Sequence, residues 1–227
     1  ASQAESSRIH PRILLRSLIY KSFQPHTWYN SSSSKSYSLF ARIINNEMIK
    51  DDKSLQISPG IYQKYIDKKY DLRVTIIGSN IYTAIIQSKN GNAYTDWRRH
   101  SLSNEISVRS YNLPKYYQHK LKRFMNSMDI VFGCIDLAVD KNDNIYFLEI
   151  NQGGQYLFVE QAVTALPLLS AMCSMLITGS TDYNIDESNK VSFDQYLKSA
   201  AYMSFKSKSD RLVKEHNLTF LSNQIIE

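Results

Sequence analysis

Residues 133–155 (GCIDLAVDKNDNIYFLEINQGGQ) contain two apolar runs on either side of a turn signal at Asn142-Asp143. Such a pattern is typical of a β-hairpin. If Asn142 and Asp143 form a two-residue loop, antiparallel pairing places Asp136 directly opposite Glu149. Two carboxylates that face each other across a ladder repel and destabilise the hairpin. The repulsion is removed when a cation lies between them, so the hairpin predicts a cation site.

A third oxygen ligand follows from the period of the second strand. Asn151 is two residues from Glu149 and therefore points to the same side of the sheet. Asp136, Glu149 and Asn151 form an all-oxygen set of the kind that Mg2+ prefers, and Mg2+ held by one or two carboxylates usually has a phosphate nearby. The open alternative is a solvent-exposed carboxylate pair, or one that is bonded to lysine or arginine.

The order of predicted elements favours an α+β fold, because regular alternation of strands and helices is absent. We predict a hairpin about Gly78–Asn80, a helix over Pro114–Met128, a helix over Phe158–Ile177 that is interrupted near Pro167, and terminal helices within Phe193–Val213. A break near residues 67–71 divides the chain. The predicted domains are a front lobe (1–66), a back lobe with the metal site (67–180) and a helical tail (181–227).

The charge and composition of the chain indicate which classes of ligand and partner it can bind. The net charge is +6, and residues 1–70 contain 11 lysines and arginines against 5 acidic residues. This asymmetry fits an anionic ligand between a basic front half and a metal site. Nucleic-acid and membrane partners are not expected, since the lysines are scattered and the longest apolar run is too short to span a bilayer. Cys134 and Cys173 lack metal-binding spacing, which favours free thiols in the cytoplasm.

Four segments, in order, resemble the ATP-grasp ligases: IYKSF with Lys21, IYQKYI leading into DLRVTIIG, DWRR, and the hairpin of residues 133–155. The subgroup that they resemble most matures ribosomally made peptides, as in microviridin and related graspetides. The resemblance spans residues 17–170, and the hairpin is its most specific part.

The resemblance implies roles for individual residues. Lys21 would contact phosphates of ATP, and Arg73 and Arg98 would serve the transferring phosphoryl group. For Arg73, a salt bridge to Asp71 or Asp96 is the open alternative. Residues 96–101 are expected to form a charged loop or the end of a strand, and in a strand Arg98 and Arg99 would point to opposite sides. Adenine recognition would fall to the backbone of Gln63, Lys64, Tyr65 and Ile66.

The implied fold has two lobes of mainly antiparallel sheet with ATP in the cleft between them. The implied activity uses ATP and Mg2+ to activate Asp or Glu side chains of a precursor peptide, which then form ester or amide crosslinks. The alternatives are a ligase of the same fold that joins an amino acid or glutamate to a small molecule or protein terminus, and a non-catalytic nucleotide- or peptide-binding module. A homodimer is left open. A preceding domain is expected, because ATP-grasp enzymes generally carry one.

Overall fold

The computed structural model describes residues 18–23, 27–30, 35–38, 40–44, 60–100 and 105–215. The chain forms two compact units. The described residues of the first unit lie within 18–67 and 95–100, and those of the second are 68–94 and 105–215. The domain boundaries expected from the sequence stay a prediction.

The first unit contains a three-stranded antiparallel sheet, a separate hairpin and one 3-10 turn. The rings of Tyr20 and Tyr62 lie opposite each other on paired strands, with centroids 5.3 Å apart. A carboxylate oxygen of Asp96 accepts a hydrogen bond from the Ala41 amide at 3.2 Å, which ties the 3-10 turn segment to the sheet. The sheet order is β4 (Arg42–Ile44), β1 (Leu18–Ser22), β5 (Gly60–Lys64); the hairpin is β2 (Thr27–Asn30) with β3 (Lys35–Ser38), and the turn is Trp97–His100.

The second unit is built on a five-stranded sheet in which every neighbouring pair is antiparallel. Its order is β10 (Ile145–Asn151), β9 (Phe132–Asp140), β6 (Lys68–Ile77), β7 (Asn80–Ser88), β8 (Ile106–Ser110). Five helices follow or interrupt the strands: α1 (Lys115–Ser127), α2 (Leu157–Ala162), α3 (Leu168–Thr178), α4 (Phe193–Leu197) and α5 (Ala200–Glu215).

The central strands β6 and β9 are buried on both faces, because helices cover both sides of the sheet. On one face, alternate β6 residues pack with the apolar stripe of α1: Leu72, Val74, Ile76, Leu121 and Met125. On the other face, Ile77 of β6 packs with apolar residues of α2 and α3: Val159, Leu168, Ala171 and Met175. Two separate apolar cores therefore hold the sheet between helices.

These elements confirm the predicted α+β class, with antiparallel strands and helices in one unit. The expected hairpin about residues 78–80 is present, with Gly78 at a φ of 55° in its tight loop. The expected interruption near Pro167 is also present, because α2 ends at Ala162 and Pro167 is the N-cap of α3. Among the described residues, no helix is both long and apolar enough to cross a membrane.

A buried carboxylate joins the helices on the second face. Glu160 is only 3% exposed. One of its oxygens accepts the Leu169 amide at 2.7 Å and the other accepts the Phe193 amide at 2.8 Å. Both amides belong to the first turns of helices, where backbone donors lack partners within the helix. Glu160 thus fixes the starts of α3 and α4 against α2.

Glu160→Gln is expected to lower the free energy of unfolding by about 1–3 kcal/mol, since the new amide NH2 faces a backbone donor and leaves it unsatisfied. Urea denaturation measures the change. Glu187→Gln is the matched control: its side chain is 75% exposed, and loss of its ion pair with Lys190 should cost less than about 1 kcal/mol. Equal stability of the two variants would contradict the role given to Glu160.

Candidate active site

The turn between β9 and β10 differs from the expected two-residue loop. The Asp140 amide donates to the Asn144 carbonyl at 3.0 Å, and the Asp143 amide donates to the Asp140 carbonyl at 3.1 Å. Asp143 has a φ of 62°. Residues 141–143 therefore form a three-residue loop that ends in a left-handed residue, a common hairpin geometry. The two-residue loop was a wrong prediction, and the strand register next to the turn is shifted by one residue.

A bulge in β10, between Phe147 and Glu149, removes this one-residue register shift before the strand reaches Glu149. Phe147 pairs with Leu137, whereas Glu149 pairs with Asp136, so Leu148 is the extra residue. Such a bulge moves all later side chains of its strand to the opposite face. The predicted pairing of Asp136 with Glu149 is confirmed, although the loop that was used to derive it is not the observed one.

Arg73, Asp136 and Glu149 form one row across three strands, because Arg73 pairs with Asp136 on β9 and Asp136 pairs with Glu149 on β10. Arg73 Nη1 donates to Asp136 Oδ1 at 2.9 Å. The row therefore joins a guanidinium to the two carboxylates within one face of the sheet. The ion pair of Arg73 is with Asp136 rather than with the expected alternatives Asp71 or Asp96.

The guanidinium of Arg73 is held on two sides. Its Nη2 donates to the carbonyl of Gln155 at 2.6 Å, in addition to the bond from Nη1 to Asp136. The side chains of Arg73 and Asp136 are 6% and 9% exposed. A buried ion pair with such contacts has a fixed geometry, which a surface pair lacks.

Two buried polar atoms beside this pair have no hydrogen-bond partner in the described part of the chain: Arg73 Nε and Thr75 Oγ1. Both residues point to the same face of β6. An unsatisfied buried donor costs about 1–3 kcal/mol. Such atoms in a folded protein call for an explanation, and a bound ligand or water that supplies an acceptor is one of them.

The loop after β10 approaches Arg73 at Gly154. A Cβ at Gly154 would lie 2.8 Å from Cys134 Cβ and 3.0 Å from Arg73 Nη2. The absence of a side chain at Gly154 therefore makes room for two protein side chains, Arg73 and Cys134. The Gln155 carbonyl was missed altogether, because no side-chain pattern marks a backbone acceptor.

Cys134 lies beside the row on the same face of the sheet, where it pairs with Thr75 on β6 and Asn151 on β10. Burial raises the pKa of its thiol, so the thiol is protonated at neutral pH and its Sγ donates to the Gly154 carbonyl at 3.6 Å. A protonated buried thiol is a poor nucleophile. The chemistry of the site therefore rests on its charged and oxygen-bearing groups.

The oxygen set predicted for Mg2+ fits that ion. Asn151 pairs with Cys134, two register positions beyond the Asp136–Glu149 pair, and so belongs to the same face. The described residues contain no group of three His, Cys, Asp and Glu side chains that could hold a metal, and the predicted set has two carboxylates with the Asn151 amide as its third member. Two carboxylates and an amide are hard donors that suit Mg2+, which keeps several waters. The ligand roles stay predictions.

The other predicted residues lie in the first unit. Lys21 is near the end of β1 and pairs with Ile61. Gln63 and Lys64 end β5, while Tyr65 and Ile66 follow it as irregular backbone. Their roles toward ATP stay predictions.

Arg98 and Arg99 lie in the 3-10 turn, so the alternation that a strand would give them does not apply. Arg98 Nη1 is 3.5 Å from Asp96 Oδ1, and its guanidinium lies 5.6 Å from the centroid of the Trp97 ring. The Arg98 amide also donates to Asp96 at 3.1 Å. A role of Arg98 in catalysis stays a prediction.

Gly154→Ala is expected to destabilise the second unit by about 1–3 kcal/mol, since the new methyl group forces Arg73 or Cys134 to move. Gly153→Ala is the matched control, because a Cβ there meets only Asn151 Oδ1 at 3.9 Å. Thermal unfolding of the two variants measures the difference. A Gly154→Ala variant as stable as Gly153→Ala would show that the loop does not restrain the guanidinium.

Comparisons with known proteins give matches in structure alone. No family model matches the sequence, and a search of curated proteins also finds no match. Among solved structures, the chain resembles the macrocyclase MdnC of Microcystis aeruginosa bound with its precursor peptide MdnA, with 23% identity and a TM-score of 0.61. It also resembles a RiPP-associated ATP-grasp ligase of Chryseobacterium gregarium in complex with ADP and a leader and core peptide, with 22% identity and a TM-score of 0.62.

A third similar structure is the ATP-grasp ligase PsnB with a variant of its minimal precursor, Mg and ADP, at 16% identity and a TM-score of 0.54. The three matches cover 74%, 75% and 73% of this chain, and 49%, 51% and 47% of the other chains. This chain therefore spans about half the length of the proteins that it matches. The likeness confirms the fold that the sequence resemblance implied, and the chain has the ATP-grasp fold.

Proposed function

We propose that the chain is the nucleotide-binding part of an ATP-dependent ligase that activates Asp or Glu side chains of a peptide. The observation that carries this proposal is the row of Arg73, Asp136 and Glu149 with its unsatisfied Arg73 Nε. A guanidinium lies beside two carboxylates that could hold a metal ion, and the transfer of a phosphoryl group uses such a combination of charges. The structural neighbours, whose bound molecules include precursor peptides, ADP and Mg, support the substrate class.

Arg73 would bind a phosphoryl oxygen. Its guanidinium is already oriented by Asp136 and the Gln155 carbonyl, so little reorganisation is needed when negative charge develops nearby. Preorganised donors of this kind stabilise transition states more than mobile ones do. An anionic oxygen at Nε would also supply the acceptor that this buried donor lacks.

Asp136, Glu149 and Asn151 would hold Mg2+. The ion would neutralise charge on the β- and γ-phosphates of ATP. The same ion would also relieve the repulsion between the paired carboxylates. In the first unit, Lys21 would contact phosphates, Gln63–Ile66 would bind adenine, and Arg98 would assist the transferring group.

The reaction has two steps. A carboxylate oxygen of the peptide attacks the γ-phosphorus of ATP, and the bond between this phosphorus and the bridging β-phosphate oxygen breaks. ADP departs, and the peptide carries an acyl-phosphate. A hydroxyl or amine of the peptide then attacks the acyl carbon, loses its proton and displaces phosphate, giving an ester or amide. The chain positions charges and reactants and forms no covalent bond itself.

Glu149→Gln is expected to lower peptide-dependent ADP release at least about a hundredfold, because an amide is a weaker Mg2+ ligand than a carboxylate. ADP release is measured with peptides that contain Thr, Ser or Lys together with Asp or Glu. Circular dichroism checks the fold, and the exposed Glu187→Gln variant is the control. Undiminished turnover in Glu149→Gln would contradict the metal assignment.

Mass spectrometry of the same reactions tests the reaction type. Crosslinking removes one water for each bond formed, whereas ligation of a free amino acid or glutamate adds the mass of that residue. A gain of mass with no dehydrated product would favour the alternative ligase of the same fold.

Arg73→Lys is expected to reduce kcat about a hundredfold or more, since lysine keeps the charge but loses the fork that spans Asp136 and Gln155. Lysine is preferred to alanine here, because alanine would leave Asp136 buried without a cation at a cost of about 3–5 kcal/mol. Steady-state kinetics with varied ATP separate kcat from KM. An unchanged kcat in a folded Arg73→Lys variant would overturn the phosphoryl role.

A further inference from the structure

The exposed half of α1 is basic, and the site described above does not use it. The helix has 13 residues and no acidic side chain. Its apolar stripe, Leu121 and Met125, is buried against the sheet. The remaining helix surface, which we name the α1 basic face, is formed by Lys115, His119, Lys120, Lys122 and Arg123.

The charges of the α1 basic face are not balanced by carboxylates. Within the described ranges of the chain, none of its lysines and arginines forms a salt bridge. Lys120 instead contacts an aromatic ring, because its Nζ lies 4.4 Å from the centroid of the Tyr116 ring. A cation above a ring stays accessible to an anion.

The arrangement disfavours the helix on its own. Lys120 and Arg123 are neighbours at i, i+3 spacing, where like charges repel. Lys115 is also the first residue of the helix, where a positive charge opposes the helix dipole. In α4, by contrast, Asp194 and Lys198 form an i, i+4 ion pair at 2.6 Å. An anionic partner would remove the repulsion along α1.

Exposed aromatic rings border the α1 basic face. Phe147 on β10 is 49% exposed, and its ring centroid lies 5.4 Å from that of Phe124 on α1. Tyr116 is 61% exposed. Phe147 precedes the bulge, so it lies on the α1 side of the sheet, opposite to the side of Glu149.

We propose that the α1 basic face docks an acidic segment of the peptide substrate, away from the reacting carboxylates and on the opposite side of the sheet. The proposal rests on the proposed function for the identity of the partner. At 1.5 Å per residue, α1 is about 20 Å long, which matches about six extended peptide residues. Asp and Glu side chains of the segment pair with the helix cations, and an apolar residue packs on Phe147.

An acidic peptide fits this surface better than nucleic acid does. The aromatic rings at its border suit apolar side chains that alternate with carboxylates. A nucleic-acid strand is a longer run of charge that would need cations well beyond one helix. Nucleic acid is therefore tested as the competing outcome.

The test measures binding without ATP. A fluorescein-labelled synthetic peptide of about twelve residues, rich in Asp and Glu with two Phe, spans the helix with room to spare. Fluorescence anisotropy with the full-length protein gives the Kd. Lys120→Glu with Arg123→Glu should weaken binding about tenfold or more, and added salt should weaken binding to the unaltered protein. A probe with Gln and Asn in place of the acids should bind poorly.

The matched control is Lys206→Glu with Lys208→Glu on α5, which changes the net charge equally at exposed positions. This variant should bind within about twofold of the unaltered protein. Lys120→Gln with Arg123→Gln replaces the reversed pair if that variant does not fold. Equal losses in the α1 and α5 variants, or no loss in either, would overturn the docking surface.

A single-stranded oligonucleotide that binds more tightly than the acidic probe, and loses affinity in the same α1 variant, would overturn the peptide assignment. Failure of the proposed function is visible separately. If Glu149→Gln retains full turnover, the ligase mechanism fails, whatever the anisotropy shows. If Glu149→Gln loses turnover but the Kd of the α1 variant equals that of the unaltered protein, the docking surface alone fails.

Discussion

The buried ion pair between Arg73 and Asp136 is the interaction on which the second unit depends. It joins the two central strands of the sheet, and the Gln155 carbonyl takes a second donor of the same guanidinium. Removing two charges from water is costly, and their attraction repays the cost only with good geometry and further hydrogen bonds. The close approach at Gly154 supplies that geometry. The same contacts of Arg73 therefore hold the central strands together, fix the loop after β10 and orient the groups of the site.

Two irregularities in the β9–β10 hairpin work together. The three-residue loop shifts the register by one position, and the bulge at Leu148 shifts it back. A sequence pattern predicts strands and a turn, since both follow from local apolar runs and loop residues. A bulge has no such local signal, because it depends on what the strand must place on each face. The pairing of Asp136 with Glu149 was thus predictable, but the way the chain achieves it was not.

Other features divide in the same way between local and non-local causes. The helix break at Pro167 and the shared face of Arg73 and Thr75 follow from proline chemistry and strand period. The partner of Arg73 does not, because Asp136 is 63 residues away and becomes its neighbour only once β6 pairs with β9. For Arg98, the sequence left a loop and a strand end as alternatives, and the residue lies in a 3-10 turn in which its amide donates to Asp96.

A purely structural role for the Arg73–Asp136 pair does not explain its surroundings. Apolar residues of similar volume often replace a buried ion pair without loss of stability, and the other face of β6 uses such residues throughout its packing with α1. The charged row instead keeps Nε of Arg73 and the hydroxyl of Thr75 unsatisfied, and it sets Asp136 against Glu149. The two unsatisfied atoms cost stability in the absence of a ligand. An anion that accepts a hydrogen bond from Arg73 Nε would relieve one of these costs, which supports the proposal that the row is a binding site rather than a part of the core.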